Sequence, residues 1–296
     1  MQSNDGKIVR QGGQGEVVQR SFWSGPGVDD LRCTALSAGA VNKTRRNIVL
    51  VHGGAHTSEC WVRTPDGRPG WADQFLAAGH DVYLVDWIDT ARPLSLVDQR
   101  PQQVIEAPGR LLRRIGPSTV VGHSLGGGLV IKATEAAGEV VQAVVLLAPA
   151  AVEFPNTSPA AGVDGRPVVV SAEVARDRFA NSSLFPRESF SAYVKSLVPY
   201  GPLMRNAAIG VTPEFRIDPA RTEVWRRVRT LVLLAEEDRT VPLSSSLAAA
   251  RAMGVALTML GADWGLPGHG HVFIVERRSE IVATHTAEWL SGVEGP

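Results

Sequence analysis

The stretch Val120-Val121-Gly122-His123-Ser124-Leu125-Gly126-Gly127-Gly128 holds a serine in surroundings that could make its hydroxyl a nucleophile. Glycines two residues before and two after Ser124 give the pattern G-x-S-x-G. An apolar run from about Ser118 to Val121 leads in, and Leu129, Val130 and Ile131 follow. The spacing predicts a strand, a sharp turn and a helix, with Ser124 at the tip. Such a turn is too tight for side chains at Gly122 and Gly126. Its strain lifts the hydroxyl clear and aims the helix N-terminus at it.

A serine hydroxyl stays a poor nucleophile until a base takes its proton, and the base must itself be held by a third group. The segment around Ser124 resembles the nucleophile elbow of α/β-hydrolases, where the chain order is Ser, acid, His. Seven histidines compete for the base. His52, His56 and His80 precede Ser124, His123 adjoins it on the turn, and His285 falls inside the last predicted helix. His269 and His271 lie in the loop Gly265-Leu-Pro-Gly-His-Gly-His-Val-Phe-Ile-Val-Glu276. His271 is the expected base, because it directly precedes the apolar run that should dock the loop; His269 is the alternative. Glu236, Glu237 and Asp238 follow the apolar run Thr230–Ala235, and Asp238 is the expected acid. Backbone N–H groups should meet the developing oxyanion: Leu125 after the nucleophile, and Gly54 (Gly53 second) in His52-Gly53-Gly54.

These groups need a scaffold. Phe22-Trp23 and Leu31–Ala40 suggest short strands after a polar lead. Asn47–Val51, Asp81–Asp86, Ser118–Val121, Val141–Leu147 and Thr230–Ala235 read as buried strands, and Ala256–Leu260 closes the set. Helices are expected over Trp71–Ala78, Pro101–Ile115 (interrupted near Pro108-Gly109), Leu243–Met253 and Glu276–Leu290. This alternation implies an α/β fold with a mostly parallel central sheet flanked by helices. From about Val152 to Trp225 no strand stands out, yet 8 of the 18 aromatic residues fall there and must be buried against something. The expected organisation is a hydrolase core of 1–151 and 226–296, with 152–225 a helical cap inserted after the sixth strand. Phe185 and Tyr193 are its first candidates for a substrate pocket, together with His123 and Trp264.

Composition excludes several classes. Hydrophobic residues make up 44% and charged residues 20% of 296, enough for a sizeable core. Thirty basic residues balance thirty acidic ones. The densest basic cluster, Arg226, Arg227 and Arg229, reads as a solvated helix end, so no nucleic-acid partner is expected. Cys33 and Cys60 have no metal spacing, and no cofactor or metal is expected; Gly12-Gly13-Gln14-Gly15 follows no predicted strand and is a weak glycine run. Met1–Arg20 has no apolar signal-peptide region and no run spans a membrane, which suits the cytoplasm, with a secreted mature form left open. Nothing in the sequence sets an oligomeric state.

A narrower resemblance rests on Trp61-Val-Arg-Thr-Pro-Asp-Gly-Arg-Pro-Gly-Trp71, on Val82-Tyr-Leu-Val-Asp86, and on Gly265, Gly268, Gly270, His271 and Glu276. These are similar to a bacterial serine esterase subfamily with a T-P-D-G-R-x-G-W segment and a G-x-x-G-x-G-H loop carrying a glutamate five residues on. The resemblance favours His271 over His269. Two features depart from the subfamily: Gly53-Gly54 stands where adjacent cysteines can occur, and Ala148 occupies the position of its acid, just before Pro149. Glu153, a few residues on, is therefore the alternative acid to Asp238. The order Ser124, Asp238, His271 and the resemblance to α/β-hydrolases lead us to expect a serine hydrolase acting on a small apolar carboxylic ester or lactone, and the narrower resemblance says little about the natural ester. Two alternatives use the same site: non-hydrolytic acyl transfer, cyclisation or lyase chemistry, and a ligand-binding protein with slow turnover.

Overall fold

The structure is a computed structural model and describes residues 7–12, 15–24, 31–38, 46–88, 96–150 and 165–292. Among these, nine strands form one sheet: β1 (Lys7–Gly12), β2 (Gly15–Trp23), β3 (Arg32–Ala38), β4 (Asn47–Val51), β5 (Asp81–Asp86), β6 (Ser118–His123), β7 (Val141–Leu147), β8 (Arg229–Leu234) and β9 (Leu257–Met259). Their spatial order is β1-β2-β3-β5-β4-β6-β7-β8-β9. The first three strands run antiparallel to their neighbours, and β5, β4, β6, β7, β8 and β9 are parallel. The helices are α1 (Glu59–Val62), α2 (Trp71–Ala77), α3 (Pro101–Ile115), α4 (Leu125–Ala137), α5 (Ala172–Val174), α6 (Phe190–Ser196), α7 (Pro202–Ala208), α8 (Thr222–Arg227), α9 (Leu243–Met253) and α10 (Ser279–Ser291).

Strand residues divide alternately between two apolar clusters, as the two-residue period of a strand requires. Val49, Val51, Val120, Val144, Leu146 and Val232 face the side covered by α3, α4 and α9. Ile48, Leu50, Val121, Val145, Leu147, Leu231 and Leu233 face the side covered by α2 and α10. Both faces are dry, which is why the central strands read as continuous apolar runs.

Two expectations need correction. The polar lead, where no strand is predicted before Phe22, supplies β1 and most of β2, an antiparallel pair in which Gly12 lies opposite Gly15. This adds one strand, so the long insertion follows β7. Second, α3 runs unbroken through Pro108. Val104, Ala107, Pro108, Leu111 and Leu112 are all buried there, and that packing outweighs the hydrogen bond proline cannot donate. The buried aromatics between β7 and β8 that the structure describes pack into the two sheet-face clusters. Phe185 and Tyr193 join one sheet-face cluster, whereas Phe215 and Trp225 join the other.

Candidate active site

Ser124 sits between β6 and α4 with φ 53° and ψ −121°, a conformation that costs a non-glycine residue roughly 1–3 kcal/mol. The surroundings enforce it. A Cβ on Gly126 would lie 2.3 Å from the Val51 carbonyl oxygen, and one on Gly122 would lie 2.5 Å from the Gly126 carbonyl oxygen. The Ser124 carbonyl accepts from the N–H groups of Gly127 and Ala150, both at 2.8 Å, and its own N–H donates to Leu147 O at 2.9 Å. The turn is thus tied to β7 as well as to its own helix.

The Ser124 hydroxyl lies 3.0 Å from Nε2 of His271, and Nδ1 of His271 lies 2.9 Å from Oδ2 of Asp238. His271 is buried, while Ser124 is half-buried. Asp238 belongs to the turn after β8, where its other oxygen accepts the N–H groups of Thr240 and Val241 at 2.7 and 3.0 Å. A carboxylate fixed in this way orients Nδ1–H toward itself and leaves Nε2 to take the serine proton. Glu153 lies outside the described residues.

Loop 261–276 is held by a second buried pair. His269 Nδ1 donates to Glu276 at 3.0 Å, and both side chains are fully buried. Glu276 also accepts from Ser182 Oγ at 2.7 Å and from the Gly270 N–H. His269 therefore faces Glu276, whereas His271 faces Ser124. The other resemblance segment meets the same loop: Arg68 donates to the Glu276 carbonyl oxygen at 2.9 Å and pairs with Asp66 and Glu280. The sequence marks both segments but not their contact, because Arg68 and Glu276 are 208 residues apart.

The loop after β4 lies against the elbow. A Cβ on Gly53 would meet Ser124 Cβ and His123 Nδ1 at 3.0 Å, and one on Gly54 would meet the Tyr200 ring at 3.4 Å and Leu125 at 3.6 Å. His52 Nδ1 donates to the Gly53 carbonyl oxygen at 2.9 Å. Because that peptide is trans, the Gly54 N–H points the opposite way from the held carbonyl. His52 is stacked on Trp87, whose indole N–H donates to His52 O at 2.7 Å. Burial keeps the His52 imidazole below its usual pKa, against the pull of Asp86.

The four pocket expectations meet a different arrangement. His123 is fully buried, and its Nε2 donates to the His271 carbonyl oxygen at 2.9 Å. Burial, with His271 and His56 nearby, lowers its pKa well below the usual value, so it is neutral. Phe185 is buried against Phe190 and Tyr193. Tyr193 is also buried, and its hydroxyl meets His56 Nε2 at 3.0 Å. Trp264 lies edge-on to His285 of α10. The half-buried ring beside the imidazole is instead Phe179, 5.6 Å from the His271 ring centre and 6.0 Å from that of His56. Sequence reasoning missed His56 and Phe179 as site residues; Phe179 belongs to a π-helical turn, Ala175–Phe179, whose facing no regular period predicts.

Among the described residues, no helix is long and apolar enough to cross a membrane. No group of three or more His, Cys, Asp or Glu there could hold a metal ion. Cys33 is buried and Cys60 is half-buried.

Comparison with known proteins agrees with this architecture. A short stretch of 45 residues is 47% identical to a probable secreted lipase of a fungal species, spanning 15% of this chain and 12% of that protein. Among solved structures, 2-hydroxy-6-oxo-6-phenylhexa-2,4-dienoate hydrolase from Rhodococcus sp. strain RHA1 superposes with a TM-score of 0.62 at 20% identity, covering 96% of this chain and all of that one. A methylesterase from Arabidopsis gives 0.59 at 18% identity, covering 83% of this chain and 99% of its own. At such identities these likenesses speak to the fold. The family model for the alpha/beta hydrolase family matches residues 48–284, and the chain belongs to that family.

Proposed function

We propose that the protein is a serine hydrolase that cleaves a carboxylic ester or lactone of mainly apolar character through an acyl-enzyme on Ser124. The observation that carries this reading is the chain of two hydrogen bonds from Ser124 Oγ through His271 to Asp238, at 3.0 and 2.9 Å. As Ser124 Oγ attacks the ester carbonyl, its proton passes to Nε2 of His271. Asp238 steadies the imidazolium without taking the proton. The carbonyl oxygen, now negative, is met by the N–H groups of Leu125 and Gly54. The tetrahedral adduct collapses, His271 returns the proton to the departing alkoxide, and the alcohol leaves. Water then attacks the acyl-enzyme by the same proton route and releases the acid. In a lactone, acid and alcohol leave as one molecule.

Gly54 is preferred to Gly53 as the second donor because the Gly53 carbonyl is already held by His52, which leaves the Gly54 N–H turned the other way. We read the insertion as a cap over the site in its described part, residues 165–225, supported by Phe179 beside His271 and by Tyr200 against Gly54; residues 152–164 lie outside the described residues. Those rings, with Leu125, suit an apolar acyl or alcohol group. The subfamily resemblance gains support from Arg68, which ties the T-P-D-G-R segment to the histidine loop.

Turnover of p-nitrophenyl esters and a lactone panel tests the reading. Ser124→Ala should lower kcat by on the order of 10⁴ to 10⁶, and a fluorophosphonate should label Ser124 alone. Labelling of another serine, with turnover surviving in Ser124→Ala, would remove the nucleophile from this reading.

A further inference from the structure

The loop after β4 is held at three successive carbonyls. Gly53 O accepts from His52 Nδ1 at 2.9 Å and from the His56 N–H at 3.4 Å. Gly54 O accepts from His56 Nδ1 at 2.8 Å, and Ala55 O accepts from the Val198 N–H at 2.9 Å. Between them Ala55 has φ 60°, a left-handed conformation that costs a non-glycine residue about 1 kcal/mol. A loop so bent keeps its shape only while its carbonyls stay bonded.

His56 has one tautomer open to it. Nδ1 faces a carbonyl and must carry the hydrogen, so Nε2 is a bare acceptor, and the partner that donates to it is the Tyr193 hydroxyl. Burial holds the His56 imidazole at about 4, so this arrangement is intact at neutral pH. Burial likewise raises the Tyr193 phenol, which keeps its proton and remains a donor. The relay runs from Tyr193 O–H to His56 and from His56 N–H to Gly54 O. It joins α6, in the segment between β7 and β8, to the loop that faces Ser124.

We propose that His56, held by the Tyr193 hydroxyl, is a positioning residue that keeps the Gly53–Ala55 loop shaped to receive the negative charge developing on the substrate carbonyl. The segment between β7 and β8 then sets the catalytic power of the site as well as its walls. This rests on the ester-hydrolase reading given above. Val198 and Tyr200 strengthen the same link, one through the hydrogen bond to Ala55 and the other by packing on Gly54.

The test uses Tyr193→Phe, His56→Asn, His56→Ala and the Tyr193→Phe/His56→Asn double variant. Each is assayed on a p-nitrophenyl ester, with an aryl boronic acid as tetrahedral-adduct mimic, well below its own melting midpoint. Tyr193→Phe keeps the ring and loses only the hydroxyl. His56→Asn keeps an amide able to donate to Gly54 O. Each should lower kcat roughly tenfold with KM within about twofold, and should weaken the boronic acid by a similar factor. His56→Ala should be the worst single variant. The double variant should be little worse than His56→Asn, because both changes cut the same relay.

Unchanged kcat in Tyr193→Phe, or losses that multiply in the double variant, would overturn the proposal. A raised KM with kcat intact would do so too, and would make Tyr193 a pocket wall. Ser124→Ala in the same assay separates the two levels. If it retains turnover, the hydrolase reading itself fails. If it is inactive while Tyr193→Phe is normal, only the positioning role falls.

Discussion

The imidazole of His123 donates from Nε2 to the backbone carbonyl of His271 at 2.9 Å, so the residue just before Ser124 holds the main chain of the imidazole that meets Ser124. The two residues are 148 positions apart, and this bond fixes the spacing between their loops. His123→Phe fills similar space but leaves that carbonyl unpaired in a buried place. We expect kcat to fall roughly tenfold with KM little changed, since misplacement of the base weakens chemistry more than binding. The rate of fluorophosphonate labelling of Ser124 should slow by a similar factor; an unchanged rate would show that the loop needs no such tie.

The acid and the two loop histidines can be separated by single changes. Asp238→Asn should preserve the fold and lower kcat by on the order of 10⁴, because the amide can favour the wrong tautomer of His271. His271→Ala should abolish nearly all turnover. His269→Ala should act chiefly on stability, because it empties a buried place and strips Glu276 of a partner. Melting midpoints measured beside kcat distinguish the two effects. If His269→Ala instead lost turnover with its melting midpoint kept, the division of roles between the histidines would be wrong.

The aromatic residues between β7 and β8 should also divide. Phe185 is 1% exposed within a main apolar cluster, so Phe185→Ala should cost about 3–5 kcal/mol of stability with little change in substrate preference. Phe179 is half-buried beside His271, so Phe179→Ala should shift the preferred acyl chain length at small cost in stability. A p-nitrophenyl ester series from short to long acyl chains, with thermal melts, tests both. A reversed pattern would move the pocket wall to Phe185.

Stability should depend on pH through buried neutral histidines. His52, His56 and His123 all have lowered pKa values in the fold, chiefly by burial. Unfolding returns them to about 6.5, so the unfolded chain binds more protons at acidic pH. Their contribution is therefore complete above about 6.5 and is lost as pH falls. For His56 the loss runs down to about 4 and amounts to on the order of 3 kcal/mol. Melting midpoints should drop between neutral pH and pH about 4, and His56→Asn should drop less steeply than the parent. Parallel curves would show that His56 titrates in the fold as it does unfolded.

What could be read from the sequence depended on how locally each feature is determined. The turn at Ser124 is enforced by Gly122 and Gly126 within five residues, so its pattern was visible directly. Asp238 and His271 were placed by chain order and by the apolar runs beside them. The first two strands read KIVRQG and GEVVQRSFW, in which polar and apolar residues do not alternate steadily, so no two-residue period stood out. The facing of Tyr193 and Phe179 was not legible, because short helices and a π-helical turn give no steady period to extrapolate. The His56–Tyr193 bond spans 137 residues, and only the folded chain brings them together.

The in-register pairing of β7 with β8, Leu147 opposite Leu233, carries a consequence for how this chain can change. Asp238 follows β8 by a short turn, so a slip of one residue would carry its carboxylate about 3.3 Å along the strand. That would take it out of hydrogen-bond reach of His271. The strands therefore act as a ruler between acid and nucleophile, and the length of chain looped out between them does not enter the measurement. Grafting a different segment between residues 165 and 227 should leave Ser124 reactive toward a fluorophosphonate. Turnover of an ester should stay roughly tenfold low unless the graft restored a donor to His56.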